Sequence, residues 1–597
     1  MGPAHAEKRI SCTRCQSKKI RCNRAGPPCD KCDVASAECR YLPRKPRIKR
    51  QADQKATISD FLQRLERLED HVRPNSGIPS RLDSPRLPSL LSGEPRLTDV
   101  DRGGGSRSSS PTTRAVTRRA LNGPKKPRHG QLLFASCFIH LRNVQSLFFE
   151  NERFAKAMEL ALAEIERLED VAEAELATSP PLIPKETAKK WLHQYYETYH
   201  FWGYQLPFDR QFMMSIPDLL EMPHVQLDSA CQIIYYTTLR HGLLLDSDNY
   251  PGKSRLLQHL YHKSMSLAET WLGKVQNSPA DLCTATFMTS LAMESFNIEL
   301  SWHMLGRACT IARTLGYFFI DGNQENAPGE SLPTPKPIEL KTEVAKNRKR
   351  FEFWHLVRAD CLFRLSFGKP TLIPQGSWAV NFPDLTIDGV GDASTRFIQI
   401  HFLASLRLAL VVMKYLNLAE SETSLDLTEF DTALDGLIAE VRSISSDWNA
   451  EELLSTTMNQ LDAWFCLDIL FNSSKMLIVL YQAKKCNEGS SPLSDHAVDI
   501  ARKCLQTVQS LIGSTLHKYW GPSLVGMLLH LIIPVVMLCV NFNGDQDGTH
   551  TEGDHTLVAW VHEFVEKTAE ERVELRPVKV ILTTIIVACQ QVSTQRA

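Results

Sequence analysis

Six of the 16 cysteines in this 597-residue chain lie between positions 12 and 39. The second three repeat the spacing of the first three after 17 residues, in the pattern Cys12-x2-Cys15-x6-Cys22-x6-Cys29-x2-Cys32-x6-Cys39. Structural zinc prefers four ligands in a tetrahedron. Six thiolates therefore match two zinc ions if two sulfurs are shared between the metals. A segment this short buries little apolar surface, so metal binding must supply the free energy of its folding.

Two other uses of these cysteines are a disulfide framework and a metal store. Disulfides suit small secreted scaffolds. Lys8 and Arg9 stand near the N-terminus, but no apolar run typical of a signal peptide follows them. The remaining cysteines are scattered through apolar stretches, as in proteins of a reducing compartment. Six cysteines at the head of a long chain would also store little metal, so the pattern favours structural zinc.

The charge of the chain is unevenly distributed. Residues 1–50 hold 14 Lys+Arg against 4 Asp+Glu, whereas the whole chain has 68 of each and no net charge. The rest of the chain therefore carries a net negative charge equal in size to the net positive charge of residues 1–50. A basic head on an acidic body fits a polyanion-binding module attached to a regulatory domain. The alternative is a basic surface that only faces solvent.

The stretch Cys12-Thr-Arg-Cys15-Gln-Ser-Lys18-Lys19-Ile-Arg21-Cys22 resembles the DNA-binding domain of the fungal Zn2Cys6 binuclear-cluster transcription factors. Pro27 matches the loop proline of that family. The resemblance implies a domain over residues 1–45 in which two zinc ions are held by Cys12, Cys15, Cys22, Cys29, Cys32 and Cys39. It also implies that Cys12 and Cys29 are the bridging ligands.

The same resemblance implies that the domain reads CGG-type triplets in double-stranded DNA. Lys19 would contact bases and Lys18 would lie beside it. A short helix in the major groove can present a lysine to the O6 and N7 acceptors of guanine. Arg14 and Arg21 suit phosphates, which fix register and supply a salt-dependent affinity.

The segments after the cluster predict a linker, a dimerisation helix and a second linker. Residues 46–57 form a basic linker, and residues 74–130 are rich in Pro, Ser, Gly and Arg and are predicted to be disordered. Residues 58–73 are predicted to form a short coiled coil, because apolar residues recur in a heptad at Ile58, Phe61, Leu65, Leu68 and Val72. About two heptads is short for a coiled coil, and one amphipathic helix packed on the body is the alternative. The resemblance favours a homodimer, since that family places its coiled coil here.

Residues 131–597 show helical periodicity and predict a large all-α regulatory domain. Individual helices are expected at Cys283–Glu299, Ser455–Lys485 and Leu524–Val540, among others. The last is apolar enough to suggest a membrane span, but its length and its Pro534 favour a buried helix.

The body resembles the fungal-specific transcription factor domain, or middle homology region, over residues 190–375. The similarity is clearest in Arg348-Lys-Arg-Phe-Glu-Phe-Trp354, Asp360 and Phe367-Gly-Lys-Pro370. Asp360 is expected to pair with Arg350 or Arg364. The aromatic residues Tyr195, Trp302 and Trp354 are expected in the core, and a helical bundle of this size has room for a small-molecule effector.

These observations predict a mainly α protein with a small N-terminal Zn2Cys6 cluster domain, a short coiled coil, a disordered linker and a large helical domain. The predicted function is that of a nuclear, sequence-specific transcription factor of RNA polymerase II genes. It would act on DNA and the transcription machinery, with no membrane partner and no enzymatic activity. The resemblance adds control of a metabolic or secondary-metabolite pathway. The alternatives are a small-molecule receptor, an enzyme or a protein-interaction adaptor whose helical body carries the main activity.

Overall fold

The computed structural model describes residues 12–23, 28–40, parts of 156–167, 181–199, 206–246, 252–321, 343–383, 393–420, 426–456, 460–484, 493–512, 524–541, 551–572 and 575–596. The chain divides into two compact units, Met1–Ser80 and Arg81–Ala597. The predicted basic linker, coiled coil and disordered linker lie outside the described residues, as do Ile58, Phe61, Leu65, Leu68 and Val72.

The described residues of the first unit, 12–23 and 28–40, contain two short helices, α1 at Thr13–Ser17 and α2 at Asp30–Asp33. The segment after α2 returns to the start of α1, where the backbone N–H of Thr13 donates to the carbonyl oxygen of Arg40 at 3.0 Å. The Thr13 hydroxyl donates to the same oxygen at 3.3 Å. The buried residues that form its core are all cysteines. This unit therefore lacks an apolar core of ordinary side chains among its described residues.

The secondary-structure elements in the described part of the second unit are all helices. In chain order they are α3 Lys185–Tyr199, α4 Arg210–Leu219, α5 Ser229–Leu245, α6 Lys253–Leu272, α7 Pro279–Glu294, α8 Ile298–Thr314, a 3₁₀ turn at Tyr317–Phe319, α9 Glu343–Phe367, α10 Ala393–Glu420, α11 Leu427–Asp447, α12 Ala450–Thr456, α13 Gln460–Ala483, α14 Asp495–Ile512, α15 Leu524–Asn541, α16 Thr551–Glu571 and α17 Arg576–Arg596. The mainly α prediction is confirmed.

Neighbouring helices in the sequence mostly pack against each other. Helix α5 packs on α3, α6 and α7, and α8 connects this group to α9. Helix α13 contacts α10, α11, α12, α14 and α15, so it lies at the centre of the C-terminal helices. Large apolar side chains fill these interfaces, as expected when helices bury their apolar faces against one another.

One contact between α3 and α5 is unusually close. Gly242 lies against the backbone of Trp191, where a Cβ atom would be 2.1 Å from the Trp191 carbonyl oxygen. The Trp191 side chain is fully buried, and its indole N–H donates to the Asp246 carboxylate at 2.9 Å. A glycine is therefore required for α3 to approach α5 this closely.

One predicted helix is divided in the structure, so that prediction is wrong. Cys283–Glu299 is interrupted because α7 ends at Glu294 and α8 begins at Ile298. The side chain of Asn297 accepts a hydrogen bond from the Leu300 N–H and caps α8. Within the predicted helix Ser455–Lys485, α12 extends to Thr456 and α13 covers Gln460–Ala483, and residues 457–459 lie outside the described residues. Helices α4 and α17 were not predicted.

The apolar helix α15 is a core helix as predicted, because residues 531–540 are all buried. Among the described residues, the segment of α10 at His401–Glu420 is the one helix long and apolar enough to cross a membrane, with a mean hydropathy of 1.5 and 61% of its 18-residue apolar window buried. Burial at this level is typical of a core helix in a folded domain.

Candidate metal centre

Four sulfur atoms form a compact group in the first unit. The Sγ atoms of Cys12, Cys15, Cys29 and Cys32 all lie within 4.8 Å of one another, and the four side chains are fully buried. The Cys12–Cys29, Cys12–Cys32 and Cys15–Cys29 separations are 3.8, 3.6 and 3.7 Å. A tetrahedral zinc with bonds of about 2.3 Å places its sulfur ligands about 3.8 Å apart. The spacing of these sulfurs therefore fits zinc coordination.

The other two cysteines adjoin this group. Cys22 is buried, and Cys39 is half-buried with its sulfur accepting from the Cys29 N–H at 3.3 Å. Burial works to raise the pKa of the Cys29 thiol, but hydrogen bonds from the Cys32 backbone and from the thiols of Cys32, Cys15 and Cys22 lower it to about 6. A metal-binding thiol must lose its proton, so the ligand form is favoured at Cys29. Burial and the neighbouring thiols of Cys12 and Cys29 instead raise the pKa of the Cys15 thiol.

Helices α1 and α2 end in the same hydrogen-bonded turn. The Ile20 N–H donates to the Cys15 carbonyl oxygen at 3.1 Å, and the Ala37 N–H donates to the Cys32 carbonyl oxygen at 3.0 Å. Both are the long bond of a Schellman motif, which closes a helix C-terminus. Each turn directs the chain from the second cysteine of its group towards the third. The sequence repeat of 17 residues is thus a repeat of local structure.

The residue at the tightest point of each turn has a positive φ angle. Lys19 has φ 52° and Ser36 has φ 42°. This left-handed region favours glycine, so both positions carry a small conformational cost. Lys18, Lys19 and Arg21 are all exposed around the first turn. Three cations therefore project to solvent from backbone that the cysteine group holds in place.

Arg14, which was predicted to contact phosphate, faces the second helix instead of open solvent. Its Nη1 donates to the Lys31 carbonyl oxygen at 3.0 Å and lies 3.7 Å from the Cys32 sulfur. This contact joins the two halves of the cluster and places a cation beside a metal-binding thiol. Sequence reasoning missed this structural role. A contact between Arg14 and DNA remains a prediction.

The signature residue Asp360 in the body caps a turn. Its carboxylate accepts from the Thr371 hydroxyl at 3.0 Å and from the N–H groups of Leu372 and Ile373 at 2.9 and 3.2 Å. It thereby fixes the chain that follows α9. Burial raises the pKa of Asp360, and these hydrogen bonds oppose that effect.

The expected pairing of Asp360 with Arg350 or Arg364 is wrong, because both arginines have other partners. Arg350 donates to Asp321 at 2.9 Å and to Glu343 at 2.6 Å. Arg364 donates to Glu420 at 3.1 Å. Asp360 has no need of an arginine, since backbone and hydroxyl donors already satisfy its buried oxygens.

Two of the three aromatic residues that were predicted to lie in the core are found there, and Trp302 is not. Tyr195 and Trp354 are buried, and the Trp354 indole N–H donates to the Asn381 carbonyl oxygen at 2.9 Å. Trp302 is half-buried and lies under the Lys369 ammonium group, which is 5.2 Å from the ring centroid. Lys369 also donates to Glu299 at 2.6 Å. Trp302, Trp354 and Lys369 thereby hold residues 368–383 against α8 and α9.

A cavity of about 310 Å³ lies where α16 meets α17. Its lining residues are mainly charged and include Glu164, Glu570, Arg576 and Lys579. Lys579 forms an ion pair with Glu566 at 2.8 Å. Nothing in this lining selects a particular small molecule, so the predicted effector stays a prediction.

Comparison with protein families gives one match. Residues 10–48 match the fungal Zn(2)-Cys(6) binuclear cluster domain. Comparison of the chain with curated proteins and with solved structures gives no match. The match and the sulfur geometry together place a Zn2Cys6 domain at the N-terminus, with four cysteines positioned for metal binding. Such a domain binds two zinc ions, which confirms the predicted cofactor.

The Zn2Cys6 domain indicates a fungal DNA-binding transcription factor, and this implies a nuclear protein. Proteins with this cluster are transcription factors and not enzymes. When bound, the two zinc ions supply the cross-link that a core of ordinary apolar side chains would otherwise provide. The chain's own contribution is to hold the sulfurs and to present Lys18, Lys19 and Arg21 beside them.

Proposed function

We propose that this chain is a homodimeric transcription factor that reads CGG-type triplets and regulates RNA polymerase II genes in the nucleus. The observation that carries the proposal is a cationic turn fixed beside a group of sulfurs with zinc-like spacing. A rigid cationic turn can enter the major groove without the entropic cost of ordering a loop. Control of a metabolic or secondary-metabolite pathway belongs to the same proposal.

In this proposal all six cysteines are zinc ligands, and Cys12 and Cys29 bridge the two metals. Their sulfurs are 3.8 Å apart, so they can form an edge shared by two tetrahedra. Cys15 approaches Cys29, and Cys32 approaches Cys12, so one terminal ligand adjoins each bridging sulfur. Cys22 and Cys39 complete the two sites.

Lys19, with Lys18 beside it, reads guanine, and Arg21 and Arg14 contact phosphates. Lys18, Lys19 and Arg21 are exposed, and none has a described protein partner for its charged group. Free cations suit phosphate and base acceptors because no internal ion pair must be broken on binding. Arg14 already donates to Lys31 and would contribute mainly through its charge.

Two triplets must be bound together, because one buries too little surface for specific recognition in a genome. The apolar heptad that ends at Val72 is the proposed dimer seam. It consists of Ile58, Phe61, Leu65, Leu68 and Val72. The linker at 46–57 would then set the distance between the two triplets.

The helical body is proposed to be a fungal-specific transcription factor domain that regulates the cluster domain and contacts the transcription machinery. What supports this is the structural use of the signature residues. Four signature residues fix the segment 368–383 or the chain beside it, namely Arg350, Trp354, Asp360 and Lys369. Proteins that share a fold are expected to share the residues that stabilise one part of it, and these signature residues stabilise one part of the helical body.

A binding-site selection with the full-length, zinc-loaded chain tests the readout. Wild type should enrich paired CGG triplets. Lys19→Gly should lower affinity for the selected site by about 10- to 100-fold and leave affinity for random DNA nearly unchanged. Glycine is a better replacement for Lys19 than alanine, because Lys19 has a positive φ that alanine would adopt only with strain in the turn.

Ser36→Gly is the matched control, because Ser36 occupies the equivalent turn with a similar φ. It should leave both affinities as in wild type. Enrichment of no triplet by the wild-type chain would contradict the proposed function. Equal losses on selected and random DNA for Lys19→Gly would contradict Lys19 as the base reader.

A further inference from the structure

The cluster unit consists of two lobes with the same local backbone and different charges. The first lobe is residues 12–23 and the second lobe is residues 28–40. Each contains a short helix that starts within its Cys-x2-Cys pair, followed by the same Schellman turn with one residue at positive φ. The offset of 17 residues pairs every position of one lobe with a position of the other.

The paired positions differ in charge around the two turns, whereas Arg14 at the start of the first lobe corresponds to another cation, Lys31. Lys18 corresponds to Ala35, Lys19 to Ser36 and Arg21 to Glu38. The second lobe also has exposed acidic side chains at Asp30 and Asp33. Its most exposed apolar side chain, Val34, is 88% exposed. Lys31 and Arg40 are exposed cations of the second lobe, so with its three carboxylates its net formal charge is −1, against +4 for the first lobe. Around its turn, the second lobe therefore presents a neutral-to-acidic surface on a scaffold equivalent to the one that carries the cations.

We infer that the second lobe is a DNA-excluding end of the cluster, and that its charge gives the domain one docking orientation. The inference rests on the proposed function, in which the first lobe contacts DNA. Two equivalent basic lobes would let either end approach the phosphates. Carboxylates at Asp33 and Glu38 oppose that approach through like-charge repulsion, which is strongest at low salt. Docking through the first lobe alone fixes the direction in which each triplet is read.

The exchange of charge between the lobes tests this inference in the full-length, zinc-loaded chain. A disabled variant replaces the cations of the first lobe with Lys18→Ser, Lys19→Gly and Arg21→Ser. A swapped variant adds Ala35→Lys, Ser36→Lys and Glu38→Arg to the disabled variant. Lysine at position 36 is compatible with its positive φ, since Lys19 has the same conformation. Affinity for a random duplex is measured at fixed salt, and zinc content is measured for every variant.

The disabled variant should bind the random duplex about tenfold more weakly than wild type. The swapped variant should regain affinity to within about threefold of wild type, because the second lobe now offers the same cations on the same turn. The control adds Glu429→Lys and Glu570→Lys to the disabled variant. Both residues are exposed in the body, and the added charge matches that of the swap. This control should stay close to the disabled variant.

If the control regains as much affinity for the random duplex as the swapped variant does, the inference is overturned, because net charge alone would then explain binding. A swapped variant with two zinc ions and no recovery would overturn it as well. Failure of the wild-type chain to bind DNA would instead contradict the proposed function. If the swapped chain loses zinc, the neutralising variant Asp33→Asn with Glu38→Gln is used. It should bind random DNA more tightly than wild type, and equal or weaker binding would refute the inference.

Discussion

Gly242→Ala should separate α3 from α5 and destabilise the helical body. The new Cβ would lie 2.1 Å from the Trp191 carbonyl oxygen and 2.6 Å from its carbonyl carbon, whereas ordinary Cβ contacts begin at 3.4 Å. The two helices must therefore part by about 1.3 Å, because both contacts are to backbone atoms that no rotamer change can move.

The cost of this separation has two parts. Overpacking of a close helix contact costs about 1–3 kcal/mol. The movement also strains the buried hydrogen bond from the Trp191 indole to the Asp246 carboxylate, and a hydrogen bond to a charged group contributes about 1.5–3 kcal/mol. We expect a total loss of about 2–5 kcal/mol in the free energy of unfolding of the body.

Urea denaturation followed by tryptophan fluorescence measures this loss in the full-length chain. Gly436→Ala is the matched control, because Gly436 lies inside α11 with no atom within 4 Å of the added Cβ. Alanine there should stabilise the helix by about 0.5–1 kcal/mol. The reasoning fails if Gly242→Ala has the same denaturation midpoint as Gly436→Ala.

Three further predictions concern the cluster, the seam and a buried carboxylate. Cys12→Ala should lose both zinc ions and Cys39→Ala only one, as measured by metal analysis; equal losses would argue against a bridging Cys12. Leu65→Asp should abolish binding to paired triplets, whereas the control Gln63→Asp lies outside the seam and should not. Sedimentation of the two variants measures the oligomeric state. A dimeric Leu65→Asp chain would exclude this seam. Burial opposes ionisation of Glu294, but Arg240 and His241 outweigh it and lower its pKa to about 2. Its ionised form therefore stabilises the fold above the unfolded pKa, and this contribution is lost as the pH falls towards 2. The stability difference between wild type and Glu294→Gln should be full at pH 7 and shrink in acid, and a constant difference would contradict the pKa.

The cluster could be predicted from sequence because cysteine spacing encodes it directly. Metal ligands must be particular residue types at particular separations, so few alternatives fit six cysteines in this pattern. The long amphipathic helices were equally visible through their apolar periodicity. The left-handed turns at Lys19 and Ser36 were not, since neither residue is the glycine that marks such a position.

The errors arose where backbone groups decided the outcome. Asp360 was assigned an arginine partner from residue types, but its partners include backbone N–H groups that every residue possesses. The break between α7 and α8 depends on Phe296, which has φ 55° despite its bulk. An apolar pattern continues through such a residue, so periodicity alone extends the helix. Helix α4 was missed because Pro217 lies inside its last turn.

The two units derive their stability from different sources, which makes metal removal a selective perturbation. The buried residues in the described part of the cluster unit are cysteines, with Cys12, Cys15, Cys29 and Cys32 fully buried, so the fold of that part depends on their ligation. The body buries aromatic and aliphatic side chains around residues such as Trp191. Saturating chelator should therefore abolish binding to the selected DNA site and leave the urea midpoint of the body unchanged. Added zinc should restore binding, with Gly242→Ala retaining the same zinc content as wild type. A chelator-induced fall in the midpoint of the body would show that its stability depends on the cluster and would refute this separation.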